Sequence, residues 1–119
     1  MLDIVPTGEA FRRADMKFGL AYWVWFFLAQ PFDLPERIIG AKPDLFLDHM
    51  LDQWSGDARC FTEELRAEYL RAFSKPETIH AICEEYRAAS TLDYEHDETD
   101  RGRRRIACPV LALWSRQGF

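Results

Sequence analysis

The chain has 119 residues, 48% hydrophobic and 29% charged, the proportions of one folded globular domain. A formal net charge of -5 and a pI near 5.2 argue against a nucleic-acid binder, whose surface must concentrate positive charge. Cys60, Cys83 and Cys108 are widely spaced and form neither a CxxC pair nor a dense disulfide framework, which points to a reducing, cytoplasmic setting.

Leu2 to Val5 reads as the end of a strand, interrupted by Asp3 and stopped by Pro6, Thr7 and Gly8. A strand that begins on the first residue hints at truncation. The opening residues lack the basic flank and apolar run of a secretory leader. Glu9 to Gln30 is expected to form one helix, with Phe11, Phe18, Tyr22, Trp25 and Leu28 on one side, ending before Pro31. Its apolar stretch from Ala21 to Ala29 falls short of the roughly 20 residues that a membrane span requires. It therefore suggests a buried helix.

A short helical turn over Leu34–Ile39 follows, with Asp33 as cap, Pro35 near its start and Gly40 closing it. Pro43 to Trp54 is predicted helical through the stripe Leu47, Met50, Leu51 and Trp54. Thr62 can cap a helix over Glu63–Phe73, whose acidic first turn suits the positive helix end. Ser74 can cap another over Pro76 to about Ala89, with Ile79, Ile82, Cys83 and Tyr86 facing inward. The acidic stretch Asp93–Asp100 and the basic run around Arg103–Arg105 are expected to be a solvated loop. Ile106 to Trp114 is a continuous apolar run, as a buried parallel strand would be.

The predicted class is thus α/β: strand end, several helices, strand. Residues 1–8 are the first core strand end, 9–100 a helical lid, and 101–119 a linker and the following core strand. Such a lid, at the carboxyl ends of the strands, is where α/β folds place ligands. Two strands alone cannot complete a sheet. The expectation is a loosely packed or self-associated helical species, with a homo-oligomer as one form.

Several residues could carry chemistry. Asp3 either orients a histidine in a nucleophile–histidine–acid triad or caps the adjoining turn. Trp25 shares a face with Tyr22, and its indole N–H can meet an anion or simply fill the core. Tyr86, beside Arg87, can donate its hydroxyl to a leaving group or sit as a half-buried amphipathic side chain. Glu84, Glu85, Asp93, Glu95, His96 and Asp97 match no closed metal site, so no metal or other cofactor is expected. His49 and His80 have no nucleophile elbow or reactive-cysteine setting beside them.

Five stretches together carry a resemblance: LDIVPT at 2–7, WVWFFLAQP at 23–31, CEEYRAA at 83–89, DYEHD at 93–97 and CPVLALW at 108–114. In this order they resemble the second half of the haloacetate (fluoroacetate) dehalogenases, α/β-hydrolases related to epoxide hydrolases. The resemblance implies a fragment of an α/β-hydrolase, mainly the helical cap with two flanking core strands. In such enzymes an aspartate displaces halide from a 2-haloacid, and a histidine-activated water hydrolyses the aspartyl ester. Lid residues, typically a His-Trp pair and a Tyr, donate hydrogen bonds to the departing halide.

On this resemblance Asp3 matches the triad acid, Trp25 the halide-contacting tryptophan and Tyr86 the halide-contacting tyrosine. Val24 departs from the family, standing where the fluoride-handling members carry His. Ser115 stands where a glycine is usual. The nucleophile, the two arginines that bind the substrate carboxylate beside it in such enzymes, and the catalytic histidine have no match, so the chain alone is expected to be inactive. Its substrate in a complete enzyme is a small halogenated carboxylic acid, with no nucleic acid and no membrane as partner. An epoxide hydrolase fragment and a non-catalytic remnant are the alternatives.

Overall fold

The computed structural model describes residues 6–113, apart from the side chain of Ala58. Eight α-helices lie among them: α1 (Thr7–Arg12), α2 (Met16–Ala21), α3 (Trp23–Leu28), α4 (Leu34–Ala41), α5 (Pro43–Trp54), α6 (Glu63–Phe73), α7 (Pro76–Ser90) and α8 (Leu92–Asp100). No described helix is long and apolar enough to cross a membrane. The chain divides into two compact units, Val24–Arg87 and the segments flanking it.

The Val24–Arg87 unit holds most of the buried apolar side chains. Val24, Trp25, Leu28, Ile39, Ile79 and Cys83 are buried, and Pro35 joins them. Helix α4 packs on α5, and α5 on α6. Proline in the first turn starts α5, where the missing N–H costs nothing. Thr62 caps α6 as its residue type predicts, accepting from the Leu65 amide at 3.3 Å. Arg66 of α6 ties to Asp48 at 2.8 Å and to Asp52 at 2.5 Å, one turn apart on α5. The Phe46 ring stacks on Phe73 with centroids 6.0 Å apart. Between α3 and α4, Phe32 and Asp33 both take left-handed backbone angles, with φ of 62° and 53°. Asp33 therefore occupies the cap position without capping through its side chain.

In the flanking unit α1 packs on α8. They approach closely at Gly8, where a Cβ would sit 2.6 Å from Asp97 Oδ2. Glu9 binds Arg12 of its own helix at 2.5 Å and Arg13, the cap just beyond it, at 3.1 Å. The Phe18 and Tyr22 rings stack at 4.7 Å.

Three expectations are corrected. The helix foreseen over Glu9–Gln30 is three short helices, because Asp15 accepts from the Phe18 amide at 2.8 Å and starts α2 afresh. The acidic stretch foreseen as a loop is α8, whose Asp93 and Glu95 sit in the first turn, where the helix dipole favours negative charge. Ser74, foreseen as a cap for α7, instead closes α6, its hydroxyl donating to the Leu70 carbonyl at 2.7 Å.

The fold class needs a fourth correction. Among the described residues no sheet forms, and the helical cap has no flanking core strand there. The account of the chain as running from a triad-acid strand through the cap to a next core strand fails with them. Ile106–Ala112 forms no strand, and Leu113 is only an isolated bridge position. A parallel strand exists through ladder hydrogen bonds to its neighbours, and the described residues supply no such ladder. Ile106, Val110, Leu111 and Leu113 consequently lie exposed. Leu2–Val5, including Asp3, lies outside the described residues.

Candidate functional site

Helix α3 is a single apolar turn and a half, WVWFFL, that can be stable only by burial. It buries Val24, 2% exposed, and Trp25, 7% exposed. Helix α7 carries Tyr86 to the same place. The Trp25 and Tyr86 rings meet edge to face, centroids 6.2 Å apart and planes inclined by 62°. Aromatic quadrupoles favour this arrangement. Burial, with the negative charge of Glu85 adding to it, pushes the Tyr86 phenol up from its ordinary value. The hydroxyl thus stays protonated, and available as a donor, through the neutral range.

Beside this pair lies an ion cluster that the sequence did not disclose. Arg87 Nη1 and Nη2 bind the two carboxylate oxygens of Glu36 at 2.6 and 2.8 Å. Nη1 also reaches Glu84 at 2.6 Å, and Nε and Nη2 donate to the Gln30 carbonyl at 3.0 and 2.7 Å. The Arg87 guanidinium holds Glu36 at about 2, well below the usual carboxylate range, against the opposing effect of burial. Burial, with the Glu36 charge adding, pushes the adjacent Cys83 thiol up to about 11. No local signal could have shown the Glu36–Arg87 pair, because its members are 51 positions apart.

Glu36, His80 and Glu84 place ligand-type atoms within 4.8 Å of one another. Both carboxylates already face the Arg87 guanidinium. A cation there would have to displace a bidentate, charge-assisted pair, so the group is better described as an ion cluster than as a metal centre.

The fold brings Trp25, Tyr86 and Val24 into one unit. Asp3 and Ser115 lie outside the described residues. His49, His80 and His96 are exposed on α5, α7 and α8. A shallow groove between α5 and α6, edged by Asp44, Asp48, Glu63 and Arg66, contains none of the foreseen site residues.

No family model matches the chain. The chain is 40% identical to a fluoroacetate dehalogenase from Burkholderia sp over 120 aligned residues, which cover all of this chain and 39% of that protein. A crystal structure of a Nostoc sp PCC 7120 protein, provisionally described as an α/β-hydrolase, matches 98% of this chain and 40% of its own at 50% identity and a TM-score of 0.90. A Pseudomonas aeruginosa protein, provisionally described as an epoxide hydrolase, matches 99% of this chain and 40% of its own at 42% identity and a TM-score of 0.88. The chain therefore spans about two-fifths of the length of its relatives. Similarity of this extent supports membership in the α/β-hydrolase superfamily.

Proposed function

We propose that the chain supplies the lid, and with it the halide-facing residues, of a hydrolase that displaces halide from a small 2-haloacid. The observation that carries this reading is the edge-to-face meeting of Trp25 and Tyr86. An indole N–H and a protonated phenol are the donors a departing halide needs, because such bonds tighten as negative charge develops. The name of the Burkholderia relative supports the same reaction. Val24 contributes no hydrogen-bond donor, so fluoride, the halide most dependent on donors, is disfavoured against chloride and bromide. Asp3 is the triad acid in this scheme. The nucleophile and the histidine general base have no counterpart in the sequence, and the chain by itself is inactive.

The test is halide release from fluoroacetate, chloroacetate and bromoacetate. The purified chain is expected to release none above background. Complemented with the remaining segments of the Burkholderia relative, it is expected to release chloride and bromide in preference to fluoride, with Val24→His narrowing the gap. Turnover by the chain alone, abolished by Asp3→Ala, would overturn the scheme.

A second reading, an epoxide hydrolase lid, is favoured by the description of the Pseudomonas relative. A protonated Tyr86 would serve an opening epoxide oxygen equally well. Opening of a simple epoxide without halide release by the complemented protein would select it. Neither activity would leave a non-catalytic remnant.

A further inference from the structure

Tyr86 and Arg87 are successive residues of α7, yet they grip the same short stretch of chain in different ways. Tyr86 meets Trp25 of α3. Arg87 takes the carbonyl of Gln30, just beyond the end of that helix, with Nε and Nη2. Gln30 is itself folded back, its Nε2 donating to the Phe26 carbonyl at 2.8 Å. The other N–H groups of Arg87 go to both oxygens of Glu36 on α4 and to Glu84. All five guanidinium donors are thus engaged, and the side chain is only 19% exposed, with Glu36 at 14%.

An edge-to-face contact fixes the distance between two rings but does not by itself stop α7 rolling or sliding against α3. A planar fork bound at the same time to a helix-end carbonyl and a carboxylate blocks both motions. Lysine cannot replace it, because an ammonium is a point charge without the fork. We infer that Arg87 is a positioning residue, which sets the register of Trp25 against Tyr86 by bridging the Gln30 carbonyl and Glu36. Its value to catalysis rests on the reading of Trp25 and Tyr86 as halide-facing donors, but the positioning itself can be measured without it.

The test uses the 119-residue chain and its variants R87K, E36Q and E84Q. Nuclear Overhauser contacts between the Trp25 and Tyr86 rings report the register. The ultraviolet titration of Tyr86, isolated by difference from Y86F, reports its burial. R87K and E36Q are expected to keep their helical circular dichroism, lose the ring contacts and titrate Tyr86 at lower pH, closer to an ordinary phenol. E84Q, which removes only the exposed outer arm, is expected to change neither readout. If R87K loses its helices, E36Q, which keeps the carboxylate's shape without its charge, decides the matter. Ring contacts and a Tyr86 titration that survive in E36Q, or in a folded R87K, would overturn the inference.

Bromide titration of the unaltered chain, followed at the Trp25 indole N–H, separates the two readings. No bromide response together with clamp-dependent ring contacts would remove the halide reading and keep the positioning. A bromide response in E36Q equal to that of the parent, with ring contacts intact, would do the reverse.

Discussion

Arg101, just past the end of α8, donates a hydrogen bond to Glu9 of α1 across 92 positions of sequence. The same guanidinium holds Glu98 at 2.6 Å, while Glu9 also gathers Arg12 and Arg13. Together these side chains form a small charged lattice over the contact between α1 and α8.

This lattice makes the flanking unit sensitive to acid. Arg12 first, and Arg101 next, hold the Glu9 carboxyl at about 2, below its ordinary 4.5. A group whose folded-state pKa is depressed contributes its stability above the ordinary value and loses it as pH falls toward the depressed one. The α1–α8 contact is expected to persist above pH 4.5 and to weaken between there and pH 2. Amide exchange in α1, measured as a function of pH, should rise through this window. In Glu9→Gln the rise should be largely absent.

The three cysteines should divide two to one. Cys60 and Cys108 are exposed, whereas Cys83 is fully buried and its thiol is pushed up to about 11. Only the thiolate attacks a disulfide. Near neutral pH, dithionitrobenzoate is expected to titrate two thiols quickly and the third only after denaturant is added. Fast reaction of all three would mean that α7 does not stay packed.

Ile39, 1% exposed, is the largest fully buried side chain among the described residues. Ile39→Ala should cost about 2–5 kcal/mol and Ile39→Val about 0.5–1.5 kcal/mol, from lost transfer energy and the cavity left behind. Chemical denaturation of the two variants beside the parent gives both numbers.

Exposed apolar residues from Ile106 to Leu113 should drive self-association. Replacing Val110 with Lys and Leu111 with Glu is expected to shift the chain toward monomer in light scattering while leaving the helical signal unchanged. An unchanged mass would place the associating surface elsewhere, for example at Met16 and Leu20, which are also exposed.

Helices with a local start signal were legible in the sequence. Pro43 and Thr62 announce α5 and α6, and the structure begins both where those residues say. Asp15 was an equally good signal, hidden by the apolar periodicity that runs through it from Phe11 to Leu28. Helix α8 was missed because acidic residues read as solvated, although acids near the start and Arg101 and Arg104 beyond the end suit a helix dipole. The strand over Ile106–Trp114 was read from apolarity alone, which says that a segment seeks burial but not that a partner lies beside it.

Of the candidate site, Trp25 and Tyr86 stood out as possible donors by residue type and placement, and again by resemblance, but their meeting could not be read from either stretch. The Glu36–Arg87 pair was wholly hidden, since an exposed-looking glutamate and arginine in separate helices are ordinary residues until the fold joins them. Asp3 lies outside the described residues, and its role as triad acid stays a proposal.

The contact of Trp25 with Tyr86 joins the second residue of the Val24–Arg87 unit to its second-to-last. The unit is therefore a loop closed on itself, its ends held by an aromatic pair and, through Gln30, by an arginine. Chain order inside such a loop is free to change. A circular permutant, joined by a short linker from Arg87 to Val24 and opened in the exposed turn at Gly56–Asp57, would keep every one of these contacts while moving the termini to the far end of α5. The Val24–Arg87 unit can thus be handled as a transferable module, independent of the order in which its helices are strung.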